Sequence, residues 1–173
     1  MWKELVRRQS LALAAIPQAP VYTKAMKAGE ESPRKARKTD IKFYVPLWTN
    51  CASVRFIWEC KLVGDSRVDG KCKGLVAEYI GHGMLRFLDG AYPADHDDAG
   101  MLGYVLAGDV PDIVRDINRS MKTSRRGRRL DDSDDLVSAA AIGDFEDVYC
   151  SHHVRSSGQA VRLHHLFLTF EFN

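Results

Sequence analysis

Residues Ala52 to Val63 read ASVRFIWECKLV. Val54, Phe56, Trp58, Cys60 and Leu62 take alternate positions, and Arg55, Ile57, Glu59 and Lys61 take those between. A period of two predicts a β-strand, because successive side chains leave a pleated backbone on opposite faces. One face is continuous apolar surface. The other carries Arg55 and Ile57 and ends with a carboxylate and an ammonium two residues apart, Glu59 and Lys61. Burying such ions costs on the order of several kcal/mol each unless they are paired or hold a cation.

Upstream, Asp40 to Leu47 (DIKFYVPL) alternates in the same way: Ile41, Phe43, Val45 and Leu47 on one face, Asp40, Lys42 and Tyr44 on the other. Pro46 places its end at an edge or a fray, and Thr49-Asn50 reads as a turn, so the two strands are expected to form a hairpin. Downstream, Gly64 to Lys73 is a polar loop. From Gly74 to Leu88 the period becomes helical: Leu75, Val76, Tyr79, Ile80, Met84, Phe87 and Leu88 share one side, and Glu78, His82 and Arg86 repeat on the other. That polar stripe is either a solvated face or the rim of a cleft. Met101 to Leu106 (MLGYVL) has the continuous apolar character of a strand buried on both faces. Asp109, Val110 and Pro111 open a helix whose buried face is Ile113, Val114, Ile117 and Met121. Phe145 to Arg155 and Val161 to Phe172 flank Ser156-Ser157-Gly158 and predict a second hairpin.

At the start of the chain, Trp2 to Ile16 is expected to be a first amphipathic helix, ended by Pro17 and Pro20. Arg7-Arg8 ahead of a short apolar run resembles an export signal, but Pro17 cuts that run off. Residues 21–38 are basic and read as a loop or arm. Between Lys122 and Asp135 the charge switches from Arg125, Arg126, Arg128 and Arg129 to Asp131, Asp132, Asp134 and Asp135, a pattern expected of an exposed loop. The whole order is α-β-β-α-β-α-β-β: an α/β (α+β) domain with a mixed central β-sheet flanked by helices, filling 1–173 as one unit.

Composition is consistent with that. The chain has 173 residues, 45% hydrophobic and 28% charged, with a net charge of +2. This is the profile of a globular domain, not of a disordered or fibrous chain. No apolar run approaches the ~18 residues of a membrane span, so no membrane partner is expected. Cys51, Cys60, Cys72 and Cys150 include no CxxC pair and are expected to be reduced thiols in a cytoplasmic protein.

With 23 acidic residues and ten lysines, about one acid-x-Lys triplet is expected by chance. There are three: Asp40-Ile41-Lys42, Glu59-Cys60-Lys61 and Asp69-Gly70-Lys71, the last in a polar loop. An Asp at the start of one strand, an acid-x-Lys at the end of the next and a helix after it resemble the PD-(D/E)xK, or restriction-endonuclease-like, nucleases. The stretches RKTDIKF, FIWECKLV, EYIGHGMLRFLDGAY, MLGYVL and SHHVR…LHHLFL carry the likeness from about Arg37 to Phe172. They look like an uncharacterised bacterial branch of that superfamily, whose members often stand near anti-phage defence genes.

The resemblance implies a metal-dependent nuclease acting on DNA. Asp40, Glu59 and the Cys60 backbone carbonyl would hold Mg²⁺ (or Mn²⁺), a hard cation that takes oxygen ligands. Lys61 would orient the attacking water and stabilise phosphate charge. It leaves room for a homodimer, because many related nucleases pair to cut both strands, and for a partner protein from a defence operon. Thr39 stands where the family has Pro. The acid that many members carry in a preceding helix could only be Glu4, Glu30 or Glu31. A member that lacks this acid would be a catalytically inactive module that binds nucleic acid or a partner. An ion pair of Lys61 with Glu59 or Asp40 is the purely structural alternative.

The Cys60 side chain belongs to the apolar face and is expected to be a core thiol. Of His152, His153, His164 and His165, at most one from each doublet can face a given site, too few for a zinc centre. Hydrogen-bonded or surface roles are expected of them. Candidate phosphate contacts are Arg37, Lys38, His82, Arg86, His153 and Arg155.

Overall fold

The computed structural model describes residues 14–18, 20–21, 26, 28–32, 37–38, 40–44, 55–92, 97–123, 134–141 and 145–170. Its centre is a seven-stranded mixed sheet. The strands are β1 (Ala14–Pro17), β4 (Ile41–Tyr44), β5 (Arg55–Val63), β6 (Asp98–Val105), β7 (Val137–Ser138), β8 (Val148–Val154) and β9 (Ala160–Thr169). They lie side by side in the order β1-β4-β5-β6-β9-β8-β7. A separate ribbon pairs β2 (Pro20–Val21) with β3 (Arg37–Lys38) and closes the ends of the basic stretch. An α/β domain is therefore what this sequence makes.

The expected hairpin exists: β4 and β5 are antiparallel, with Ile41 opposite Trp58 and Phe43 opposite Phe56. The C-terminal hairpin exists as well, with β8 antiparallel to β9 around a turn in which Gly158 has φ +86°. Between the hairpins, β5, β6 and β9 run parallel. Each parallel step is bridged by helix. The first crossover holds α1 (Leu75–Tyr79), one π-helical turn (Ile80–Met84) and α2 (Leu85–Leu88); the second holds α3 (Val110–Thr123). The order β5-β6-β9 advances in one direction, so two crossovers of the usual right hand place their helices on the same face of the sheet. The core follows suit: helical Tyr79, Met84, Leu88, Ile113 and Ile117 join Val63, Met101, Leu163 and Phe167, which all point to that one face. The described helices thus cover one face, where flanking helices were expected.

Two expectations are corrected. Residues 14–16, read as the end of a helix, are the edge strand β1, paired with β4 from Ala14 opposite Tyr44 to Pro17 opposite Ile41. Pairing with β4 overrides the local helical pattern, and Pro17 is tolerated because an edge strand need not donate every N–H. Residues 2–13 lie outside the described residues. The charged stretch is followed by the short strand β7, which the sequence does not announce. Asn118 on α3 holds its start: Nδ2 donates to the Leu136 carbonyl at 3.1 Å and Oδ1 accepts from the Leu136 N–H at 2.9 Å. The Thr49-Asn50 turn and Arg125, Arg126, Arg128, Arg129, Asp131 and Asp132 lie outside the described residues.

The helix over Gly74 to Leu88 forms, but Ile80-Gly81-His82-Gly83-Met84 widens into a π-turn. Such turns shift the residues that follow on the helix face. Gly83 packs where no side chain fits easily: a Cβ there would stand 2.5 Å from Met101 Cε and 3.5 Å from Lys61 Cγ.

Candidate active site

One step beyond the Ile41–Trp58 pair, the register puts Asp40 opposite Glu59. The backbone N–H of Cys60 donates to Asp40 Oδ2 at 2.7 Å. Glu59 and Lys61, two apart on β5, project to the helix-covered face. Lys61 Nζ donates to Glu59 Oε1 at 2.6 Å and to the Cys60 carbonyl at 3.1 Å, and stands 3.9 Å from Asp40 Oδ2. The three residues of the acid–acid–lysine set and the Cys60 carbonyl therefore converge on one point at the β4–β5 boundary.

Glu59 is wholly buried, at 0% exposure. Besides Lys61, Arg86 Nη1 donates to Glu59 Oε1 at 2.6 Å and the Tyr92 hydroxyl donates to Oε2. A buried carboxylate needs such partners, because an unpaired one would be forced to take up a proton. Burial, and then the bond to Glu59, push the Tyr92 hydroxyl far above its usual range. Burial works against the Arg86 charge, yet Tyr92 and Glu59 hold its guanidinium above the ordinary arginine value. Asp40, Glu59, Lys61 and Arg86 sum to zero charge. Their side chains differ in access: Asp40 is 31% exposed, Lys61 19% and Arg86 35%.

The Cys60 side chain points the other way, with Trp58 and Leu62. Burial first, and then the Asp40 and Glu59 carboxylates, push its thiol up to about 11, so it is no nucleophile near neutral pH. Among the described residues Cys60, Cys72 and Cys150 are free thiols.

The remaining candidates scatter. Arg86 is at the site. His82 is exposed one turn away and bonds Glu78. Arg37 and Lys38 give their backbones to β3, and their side chains lie outside the described residues. His153 and Arg155 are 3% and 5% exposed. Arg155 donates to the Phe87 carbonyl at 2.9 Å, which ties the end of β8 to the end of α2. Both are buried in the fold instead of standing ready on the surface for phosphate. Glu30 and Glu31 follow Gly29 in a bend, and Glu4 lies outside the described residues. Among the described residues no group of three His, Cys, Asp or Glu side chains gathers at metal-binding geometry.

Sequence reasoning missed Tyr92, which sits in a stretch that reads as loop. It also missed a second polar cluster. Tyr79 OH is 2.8 Å from His165 Nδ1, His165 Nε2 is 2.8 Å from Ser151 Oγ, Ser151 Oγ is 2.7 Å from His153 Nε2, and His153 Nδ1 is 2.9 Å from Asp134 Oδ1. Ser151, His153 and Asp134 have the spacing of a nucleophile, a base and an orienting acid. Ser151, however, is fully buried at 0% exposure and also carries His165 on its oxygen, so the geometry fits an internal relay and not an open nucleophile. For the state in which both histidines are neutral and Asp134 is ionised, the directions follow from what each group can donate. An ionised Asp134 only accepts, so His153 donates from Nδ1 and accepts at Nε2. Ser151 then donates to His153 and accepts from His165 Nε2, which leaves His165 Nδ1 to accept from Tyr79. Burial, with His153 and His164 as lesser causes, keeps His165 neutral by pulling it well below the usual histidine range.

No family model, curated protein or solved structure matches the chain.

Proposed function

We propose that this chain is a metal-dependent nuclease that hydrolyses phosphodiester bonds of DNA, with its site at Asp40, Glu59, Lys61 and the Cys60 carbonyl. The observation that carries this reading is the convergence of those four groups. Three oxygens, Glu59 Oε1, Cys60 O and Asp40 Oδ2, surround a single cationic group, the Lys61 ammonium, at 2.6, 3.1 and 3.9 Å. Two carboxylates and a carbonyl are the hard donors that Mg²⁺ or Mn²⁺ takes, so the donor set fits, and a monovalent cation already stands among it. The topology supports the same reading: antiparallel β1, β4 and β5 are followed by a helical crossover to parallel β6, as expected of a restriction-endonuclease-like core.

In this reading Asp40, Glu59 and the Cys60 carbonyl would hold the cation, which supplies positive charge for a phosphate. The chain's own residues do the rest. Lys61 donates toward the attacking water or a phosphate oxygen. Arg86, a third exposed and with donors beyond the one on Glu59, reaches phosphate at the mouth of the site. Tyr92 holds the Glu59 carboxylate in place. A cytoplasmic setting and a part in anti-phage defence go with the family resemblance; the structural counterpart is that no described helix is long and apolar enough to cross a membrane.

A second reading has its own observation. Glu59 is fully buried and already met by Lys61, Arg86 and Tyr92, and two described carboxylates meet here, not three. That suits a nuclease-like module that binds nucleic acid or a partner without cutting. Purified protein with plasmid and single-stranded DNA, in Mg²⁺, Mn²⁺ or EDTA and beside Lys61→Ala, separates the two. Metal-dependent cutting lost in the variant supports the nuclease. Salt-sensitive binding with no turnover in any metal supports the module.

A further inference from the structure

The Lys61 ammonium occupies the place among Glu59 Oε1, the Cys60 carbonyl and Asp40 Oδ2 that the same oxygens would offer to a divalent ion. A lysine that only stabilised phosphate could point away from these donors. Here it is turned back onto the carbonyl of its own neighbour and onto a fully buried carboxylate. The site is also charge-balanced, two carboxylates against Lys61 and Arg86. A divalent ion added beside an unmoved ammonium would leave an excess of like charge within a few ångströms. The ammonium is not sealed in: the Lys61 side chain is 19% exposed. Its stem runs past the π-turn at Gly83, whose missing side chain lets the helix backbone pass close to Lys61: a Cβ there would stand 3.5 Å from Lys61 Cγ.

Resting on the nuclease reading, we propose that Lys61 is a built-in plug of the metal site. Its ammonium and a divalent cation exclude one another among these oxygens, and loading the metal swings Lys61 out to where it can meet the substrate. The resting protein is thereby stable without metal, and the lysine is delivered to the reaction only when the cation arrives. No bond is made or broken in the exchange; one counter-cation replaces another.

Calorimetric titration of Mn²⁺ into the whole chain tests this on wild type, Lys61→Met and Arg86→Met. Lys61→Met removes both charge and plug, whereas Arg86→Met removes the same charge from Glu59 and leaves the plug. The expected result is Mn²⁺ binding at least tenfold tighter in Lys61→Met than in wild type, and a smaller gain in Arg86→Met. Equal gains in the two variants, or none in Lys61→Met, would overturn the plug while leaving the metal site standing. Folded protein that binds no Mn²⁺ in all three forms would overturn the metal-site reading and the plug with it. A second measurement needs no variant. The ¹⁵Nζ resonance of the wild-type Lys61 ammonium is expected to shift and to exchange faster with water on Mg²⁺ saturation; an unchanged resonance at saturation overturns the plug.

Discussion

The backbone N–H of Cys60 donates to Asp40 Oδ2 at 2.7 Å, so the acid that precedes one strand is tied to the middle of the acid-x-Lys triplet of the next. The bond fixes the Asp40 carboxylate near Lys61 without burying it, since the Asp40 side chain remains 31% exposed. Asp40 and Glu59 therefore differ as targets for mutation.

Asp40→Asn keeps an oxygen that can accept from Cys60 and removes only the charge. Its unfolding midpoint is expected to stay close to wild type, and under the proposed nuclease function DNA cleavage is expected to fall by at least about a hundredfold, the scale of losing one electrostatic group from a site of this kind. Urea unfolding and a plasmid-nicking assay on the same preparation check both halves.

Glu59→Ala is expected to be a stability variant first. It leaves Lys61, Arg86 and Tyr92 around a hole where a fully buried carboxylate stood. Breaking a buried pair from one side costs about 3–5 kcal/mol. Tyr92→Phe removes one donor and leaves both cations matched, and is expected to cost about 1–3 kcal/mol. Denaturant titration that ranks Tyr92→Phe above Glu59→Ala in cost would contradict this description of the Glu59 environment.

Two glycines separate by what they touch. A Cβ at Gly100 would sit 2.3 to 2.6 Å from ring atoms of Trp58, a rigid plate that must move as a whole. A Cβ at Gly83 meets the free end of Met101, which can turn aside. Gly100→Ala is expected to cost about 1–3 kcal/mol through overpacking. Gly83→Ala is expected to cost less, because only the flexible end of Met101 has to give way. Parallel unfolding curves for the two variants decide the order.

The relay gives a pH dependence of definite sign. His165 has its folded pKa pulled well below 6.5 by burial, so below about pH 6.5 the unfolded chain binds the proton that the folded chain refuses. Its contribution to stability is full above that pH and is lost as pH falls toward the folded value. Unfolding free energies from pH 8 down to pH 5 are expected to fall more steeply for wild type than for His165→Gln. Imidazole ¹⁵N spectra read the directions: a single proton on Nε2 of His165 is the expected result, with Nδ1 of His153 as the donor to Asp134, and a proton on Nδ1 of His165 would reverse the chain of donors.

Cys60 supplies a last check. A thiol pushed from 9.0 up to about 11 holds about a hundredfold less thiolate near neutral pH, and is expected to alkylate about that much more slowly than a free cysteine. Peptide mapping after timed iodoacetamide exposure measures the rate at this position.

What the sequence determined by itself is the periodic part. Alternation in FIWECKLV and DIKF is enforced by the geometry of a pleated strand, and so the β4–β5 pairing and the common face of Glu59 and Lys61 were readable from spacing alone. The amphipathic faces of α1 to α3 and the C-terminal hairpin were readable for the same reason: each is a local pattern with a known period. Tertiary structure alone decided what those patterns meet. The strand at Ala14–Pro17 exists because β4 offers it an unpaired edge, which no property of residues 14–17 announces. Tyr92 reaches Glu59 because the crossover helices return the chain over β5, 33 residues on. Serine and histidine on β8 and β9 became an internal relay because the sheet register set Ser151 within reach of His165, while the same residues in sequence could equally have faced solvent. Periodicity fixes the side of an element on which a residue stands, but hydrogen-bond partners and burial depend on atoms brought together from distant parts of the chain.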